Sequence, residues 1–249
     1  MKSMVAAIQF LTIFGSNKRA EVTSDNLSRS LFYFPLVGLI IGGCLVGANL
    51  ILSKYLNHSA VNVSIILVLI ILTGALHLDG FADTLDGFYA GKDRGKILKI
   101  MEDSRIGTMG ATGLIILILL KFVLLEGIPE VIKYKTLLLM PLSSRWAMVV
   151  SGSLSKAAKT EGLGKFFCKP VKLREWLGAT LFTLIVAFLI LKVQSILFIL
   201  SIFLFTLILT WYITRKIGGM TGDTFGAINE LTEVFSLLIF NLKFLIFDF

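Results

Sequence analysis

The sequence predicts an all-α, polytopic integral membrane protein, and three observations carry the prediction. Hydrophobic residues make up 56% of the 249-residue chain and charged residues only 16%, against roughly a quarter charged in soluble domains. The apolar residues gather in seven segments, each long enough, alone or with its neighbours, to approach the ~20 residues that an α-helix needs to cross a bilayer. The basic residues also alternate in density from loop to loop, as membrane topology demands. No polar stretch is long enough to build a second core, so residues 1–249 are expected to form one membrane-embedded domain.

The segments run over Leu31–Leu52, Val61–Phe88, Ala111–Leu125, Leu137–Val150, Leu177–Leu191, Ser195–Ile213 and Val234–Phe247, which gives about seven transmembrane helices. The third, fourth and seventh are short and extend through small or amphipathic neighbours, such as Gly107–Gly113 ahead of the third. The second is long, so its acidic last third is expected to protrude from the hydrocarbon into the interface. Ahead of the first, Lys2 and the apolar run Met4–Phe14 resemble the opening of a signal peptide. The residues GSNKRA follow where a small-residue cleavage site would stand. A retained interfacial helix is expected instead, with Phe10, Leu11, Ile13 and Phe14 in the headgroup layer.

Lys and Arg number four in residues 1–30, five in 89–110, six in 151–176 and two in 214–233, against five in all the intervening loops and the tail. The positive-inside rule then predicts a multi-pass protein of the cell (inner) membrane, N-terminus cytoplasmic and C-terminus outside. Every polar cluster falls on the cytoplasmic side, while the first, fifth and sixth segments are almost wholly apolar. A channel or carrier places polar residues deep in several spans, so chemistry at one face is favoured over transport. The net charge of +8 reflects topology; no basic stripe with interleaved aromatics points to nucleic acid. Cys44 and Cys168 have neither disulfide-framework nor zinc-site spacing and are read as unpaired thiols.

The strongest chemical signal is HLDGFADTLDGFYAGKDRGKILKIMEDSRIGTMG, residues 77–110. Asp79, Asp83 and Asp86 lie within about 60° of arc at 100° per helical residue. Carboxylates so close repel one another and are costly to desolvate near a bilayer, and a hard divalent cation such as Mg²⁺ removes both objections. The alternative is a solvated face, or pairing with Lys92 and Arg94. Downstream, Asp103 and Arg105 precede a Gly-rich entry to a span, where Arg105 is either a phosphate fork or a positive-inside anchor. Arg145 ends the run SSR within a span and needs an anionic partner, either a substrate phosphate or one of the acidic residues. Lys165 lies in GLGKFF, by itself a weak phosphate signal. GGMTGDTFGAINELTE, residues 218–233, is a second acidic cluster: Asp223 and Glu230 share a helical face, and Glu233 lies about 60–80° away. Thr221 or Asp223 can cap that helix. His77, on the opposite side of its helix from the aspartates, is read as a membrane-interface residue.

Taken in order, HLDGFADTLDGF, EDSRIGTMG, SSRW, GLGKFF and GGMTGDTFGAINELTE resemble the cobalamin synthases, also called adenosylcobinamide-GDP ribazoletransferases. The resemblance covers most of the chain. It implies an integral membrane, Mg²⁺-dependent transferase that joins adenosylcobinamide-GDP to α-ribazole or α-ribazole 5′-phosphate and releases GMP. On that reading Asp79, Asp83 and Asp86 are catalytic and hold the metal together with Asp223 or Glu230. Asp103, Arg105, Arg145, Lys165, Asp223, Glu230 and Glu233 become candidate substrate contacts. The partners implied are the nucleotide-activated corrinoid, the ribazole and the lipid bilayer. A homo-oligomer, or an association with other enzymes of the pathway, is a further partner compatible with that reading. The acidic motif is also similar to that of the CDP-alcohol phosphotransferases, but D-G-x-A-D stands here where that family has D-G-x-x-A-R. Phospholipid synthesis is therefore the runner-up, and a non-catalytic corrinoid-binding membrane protein the third reading.

Overall fold

The computed structural model describes residues 2–14, 29–158 and 173–242. Among them lie ten α-helices and a 3₁₀ turn at Leu31–Tyr33. The helices are α1 (Lys2–Leu11), α2 (Phe34–Leu52), α3 (His58–Thr73), α4 (Leu76–Ala90), α5 (Arg94–Ile100), α6 (Thr108–Glu126), α7 (Glu130–Leu154), α8 (Leu173–Leu191), α9 (Gln194–Ile217) and α10 (Gly222–Asn241). The described residues form no strand beyond the isolated bridge between Ala157 and Met220, so the all-α expectation holds.

The helices divide by what surrounds them. α2 with the turn before it, α6, α7, α8 and α9 are each long and apolar enough to cross a membrane, and α3 with α4 makes a sixth if that bent pair is one span. Five or six of the expected seven are thus met among the described residues. α10, which contains the start of the seventh segment, carries Asp223, Glu230 and Glu233 and does not reach that standard; residues 243–247 of that segment lie outside the described residues.

α7 is the pillar. Most of it is buried, packed by α2, α8, α9 and α10. Gly42 lies so close to it that an added Cβ would stand 2.8 Å from the Cα of Leu138, the small-residue contact by which membrane helices approach without a hydrophobic drive. By contrast the outer faces of α8 and α9 expose Leu181, Ile185, Phe188, Leu200, Leu204 and Ile208, as lipid-facing helices should.

The second segment is not one long helix. Gly74 and Ala75 both adopt left-handed backbone (φ 60° and 57°), and α4 leaves α3 at 90°. Glycine takes that conformation freely, whereas alanine does so at a cost of about 1–2 kcal/mol. The acidic stretch is thus a separate helix, held by its neighbours, and not the straight continuation of the apolar run before it.

The loops segregate to the two ends of the bundle. At one end, Arg94 Nη2 donates to the Ala158 carbonyl (2.7 Å), Ala158 N–H to Met220 and Met220 N–H to Lys156 (both 2.8 Å). These bonds tie the connections after α4, α7 and α9 together. At the other end, Ser59 and Asn62 donate to Glu126 (3.2 and 2.7 Å), and Asn241 donates to the Leu124 carbonyl (3.0 Å). Among the described residues, three of the basic-rich connections thus meet at one end, and basic-poor ones lie at the other. α1 docks near the first: Ile13 N–H donates to the Leu72 carbonyl (2.9 Å). Phe10 stacks on Phe34 and Leu11 is buried. Only Ile13 and Phe14, of the four residues expected among headgroups, stay exposed.

Candidate active site

Two helices cross at the basic-rich end. A Cβ at Gly80 would stand 2.8 Å from both the Cα and the carbonyl oxygen of Asp223, and one at Gly226 would stand 2.9 Å from the His77 carbonyl. α4 and α10 therefore touch backbone to backbone, which only glycine permits. A capping box between Thr221 and Thr224 starts α10 at this crossing, so Asp223 lies in its first turn, beside Gly80. Asp83, half-buried on α4, has Asp79, Asp223 and Asp86 as its charged neighbours. Asp79 is exposed and Asp86 half-buried. Four carboxylates from two helices thus share one corner of the molecule.

They are not equivalent. Asp86 accepts from the backbone N–H of Gly107 (2.7 Å) and of Gly110 (2.8 Å). It caps the start of α6 from another helix, satisfying donors that a helix N-terminus leaves orphaned. Its oxygens are committed to two strong charge-assisted bonds. Asp79 and Asp83 have no basic partner among the described residues. In donor type Asp79, Asp83 and Asp223 suit a hard, oxygen-seeking cation such as Mg²⁺. Among the described residues no group of three or more His, Cys, Asp or Glu side chains is close enough to hold a metal, so the donors fit by chemistry without converging.

A second polar cluster is buried further along α10. Lys121 Nζ, from the middle of α6, bonds Glu230 Oε2 (2.6 Å) and Glu233 Oε2 (2.5 Å). Arg145, wholly buried on α7, donates through Nη1 to Glu233 Oε1 and to Ser144 Oγ, the latter at 2.9 Å. Asn229 Nδ2 also reaches Glu233 Oε1 (3.2 Å). Two cations and two carboxylates neutralise one another away from water, tying α6, α7 and α10 into one unit. His77 is buried against this cluster, with Arg145, Glu233 and Lys121 as its charged neighbours.

The family model for cobalamin-5-phosphate synthase, CobS, matches residues 3–241. The chain belongs to the CobS family. It is 37% identical over 97% of its length to the adenosylcobinamide-GDP ribazoletransferase of Caldanaerobacter subterraneus subsp. tengcongensis, of which it covers 98%. It is 39% identical over 96% of its length to the protein of that name from Thermoanaerobacter pseudethanolicus, covering 97%. For the Clostridium acetobutylicum protein of that name the identity is 37%, with 95% of this chain and 94% of the relative covered. No solved structure matches.

Within this CobS-family chain the expected site residues separate. Asp79, Asp83 and Asp223 stand together at the α4–α10 crossing. Glu230 and Glu233, which the resemblance implies near the metal or the substrate, pair with Lys121 and Arg145. The seven residues from Asp223 to Glu230 carry the latter about 10 Å along α10, into the protein interior. Arg145 finds an anionic partner in Glu233, one of the two kinds expected for it. Lys121 is not among the expected site residues, although a lone lysine within LIILILLKFVLL is a signal in itself: an intramembrane cation needs a partner. His77 is core and not membrane interface, because α4 turns that side toward α10. Arg105 lies in the exposed loop after α5, where Asp103 takes its Nε (3.0 Å) and Nη2 (2.7 Å). That fork holds the Asp103 carboxyl down at about 2 and pushes Arg105 up. Lys165 and Cys168 lie outside the described residues; Cys44 is a free, exposed thiol.

Proposed function

We propose that this chain joins adenosylcobinamide-GDP to α-ribazole, or to α-ribazole 5′-phosphate, giving adenosylcobalamin or its 5′-phosphate and GMP. The observation that carries the reading is the match of the CobS family model from residue 3 to residue 241, with relatives of nearly equal length named for this transfer. The acidic corner between α4 and α10 is the place for it.

The acceptor oxygen of the ribazole forms a bond to the corrinoid-bearing phosphorus, and the pyrophosphate P–O bond breaks, its electron pair leaving with GMP. The acceptor proton passes to a carboxylate, and Asp83, half-buried among the other acids, is the group placed to take it. Asp79, Asp83 and Asp223 are the residues that would hold Mg²⁺, whose chemistry is to offset charge on the pyrophosphate and on departing GMP. Asp86 keeps α4 in register with the start of α6, and the Lys121–Arg145 cluster keeps α10 against α6 and α7. We place the N-terminus and the basic-rich end, with the site, on the cytoplasmic side of the cell (inner) membrane, and the C-terminus outside.

The test is GMP release by the protein in nanodiscs, supplied with adenosylcobinamide-GDP and α-ribazole, with Mg²⁺ or with EDTA. Asp83→Asn should abolish turnover while inserting normally. Wild-type turnover in that variant, or in EDTA, would remove the metal reading. Turnover of CDP-diacylglycerol in place of the corrinoid would remove the substrate assignment.

A further inference from the structure

A cavity of about 590 Å³ opens where the end of α4, the start of α5 and the end of α9 meet. Lys92 and Arg94 line one side of it, and Trp211, Tyr212, Arg215 and Lys216 the other. Asp93 is its one acid among the described residues, and that carboxylate is occupied in capping α5 at Lys96 N–H (2.9 Å). Four cations therefore face one cavity with a surplus of positive charge. The aromatic rings organise them: Arg215 lies over Trp211 at 5.3 Å, and Lys216 lies 5.8 Å from both Phe88 and Tyr212. Phe88 packs edge-on against Tyr212 in turn. Arg94 is held by its bond to the Ala158 carbonyl.

What leads into this cavity identifies its occupant. Leu200, Leu204 and Ile208 are exposed along one side of α9 at helical spacing, and the same side continues into the exposed Trp211 and Tyr212. An apolar, lipid-facing stripe thus runs directly into a basic, aromatic-rimmed cavity at the basic-rich end of the bundle. A molecule with an acyl tail and an anionic phosphate head fits both parts. Aromatic side chains sit at the headgroup level, and juxtamembrane basic side chains attract anionic lipid there. A free nucleotide would satisfy the cations and leave the stripe unused.

We propose that this cavity is a binding site for the phosphate headgroup of an anionic phospholipid, whose acyl chains lie along Leu200, Leu204 and Ile208. The site is distinct from the acidic corner and does not depend on the reaction assigned to it.

Native mass spectrometry of delipidated protein titrated with phosphatidylglycerol, and with phosphatidylcholine of the same acyl chains, tests the proposal. One phosphatidylglycerol should bind saturably and more tightly than phosphatidylcholine. Replacing Arg215 and Lys216 together by Gln should weaken it about tenfold or more, since each basic side chain near an anionic surface contributes roughly fivefold. The control Lys96→Gln with Lys99→Gln removes equal charge at the same end, outside the cavity, and should weaken binding less than about twofold. Lys92→Gln provides the same reading should the double variant unfold. Equal loss in the cavity and control variants, or equal binding of the two lipids, overturns the site. So does displacement of phosphatidylglycerol by GMP or GDP, which would make it a nucleotide-phosphate pocket.

Discussion

Replacing Gly80 by Ala puts a methyl group 2.8 Å from the Cα and the carbonyl oxygen of Asp223. Non-bonded carbons settle at about 3.5–4.0 Å, so α4 and α10 must part locally by roughly 0.7–1.2 Å. The atoms met are backbone and cannot swing aside as a side-chain tip does. Overpacking of this kind costs about 1–3 kcal/mol, offset by nearly 1 kcal/mol from alanine's better helix propensity. Stability should therefore fall by no more than about 2 kcal/mol. Activity should fall much further, because the displaced crossing is what sets Asp83 against Asp223, and a misplacement of about 1 Å costs on the order of a hundredfold. The assay is kcat/KM for GMP release in nanodiscs, read beside Tm. Gly47→Ala is the control: it also lies in a helix, but an added Cβ there meets nothing within 4 Å, so activity should hold. A Gly80→Ala enzyme with wild-type kcat/KM would refute the view that the α4–α10 crossing builds the site.

Substitutions at two further positions test the acids that hold helices together. Glu233→Gln leaves Lys121 and Arg145 short of a buried counter-charge and should lower unfolding stability by about 3–5 kcal/mol; a denaturation midpoint equal to wild type would show that the cluster bears no weight. Asp86→Ala strips the acceptor from two N–H groups at the start of α6 and should cost about 1–3 kcal/mol. Asp86→Asn, which keeps one carbonyl acceptor, should fall between Asp86→Ala and wild type in Tm. Equal Tm for all three would exclude the capping role.

Much of this molecule was legible before any helix was packed. Apolar runs and the alternation of basic loops are local properties of the chain, so they survive folding unchanged. That is why the basic-rich loops meet at one end of the bundle. The arc shared by Asp79, Asp83 and Asp86 was legible too, because helical periodicity depends only on spacing. The break at Gly74–Ala75 was not, since Gly74 alone marks no turn within an apolar run and Ala75 is an unexpected residue in left-handed backbone.

An all-helical membrane protein, with acidic clusters near one end and motifs resembling the cobalamin synthases, can be read from the order of residues alone. Only the tertiary structure decided which acids belong together. Periodicity places Asp223 and Glu230 on one face of an isolated helix, but it says nothing about what that face meets. One turn of α10 meets Gly80 and the aspartates of α4; two turns on, the same face brings Glu230 to Lys121 of α6, and Glu233 beside it reaches both Lys121 and Arg145 of α7. A carboxylate's role follows from the charge opposite it, and that charge comes from helices distant in the chain.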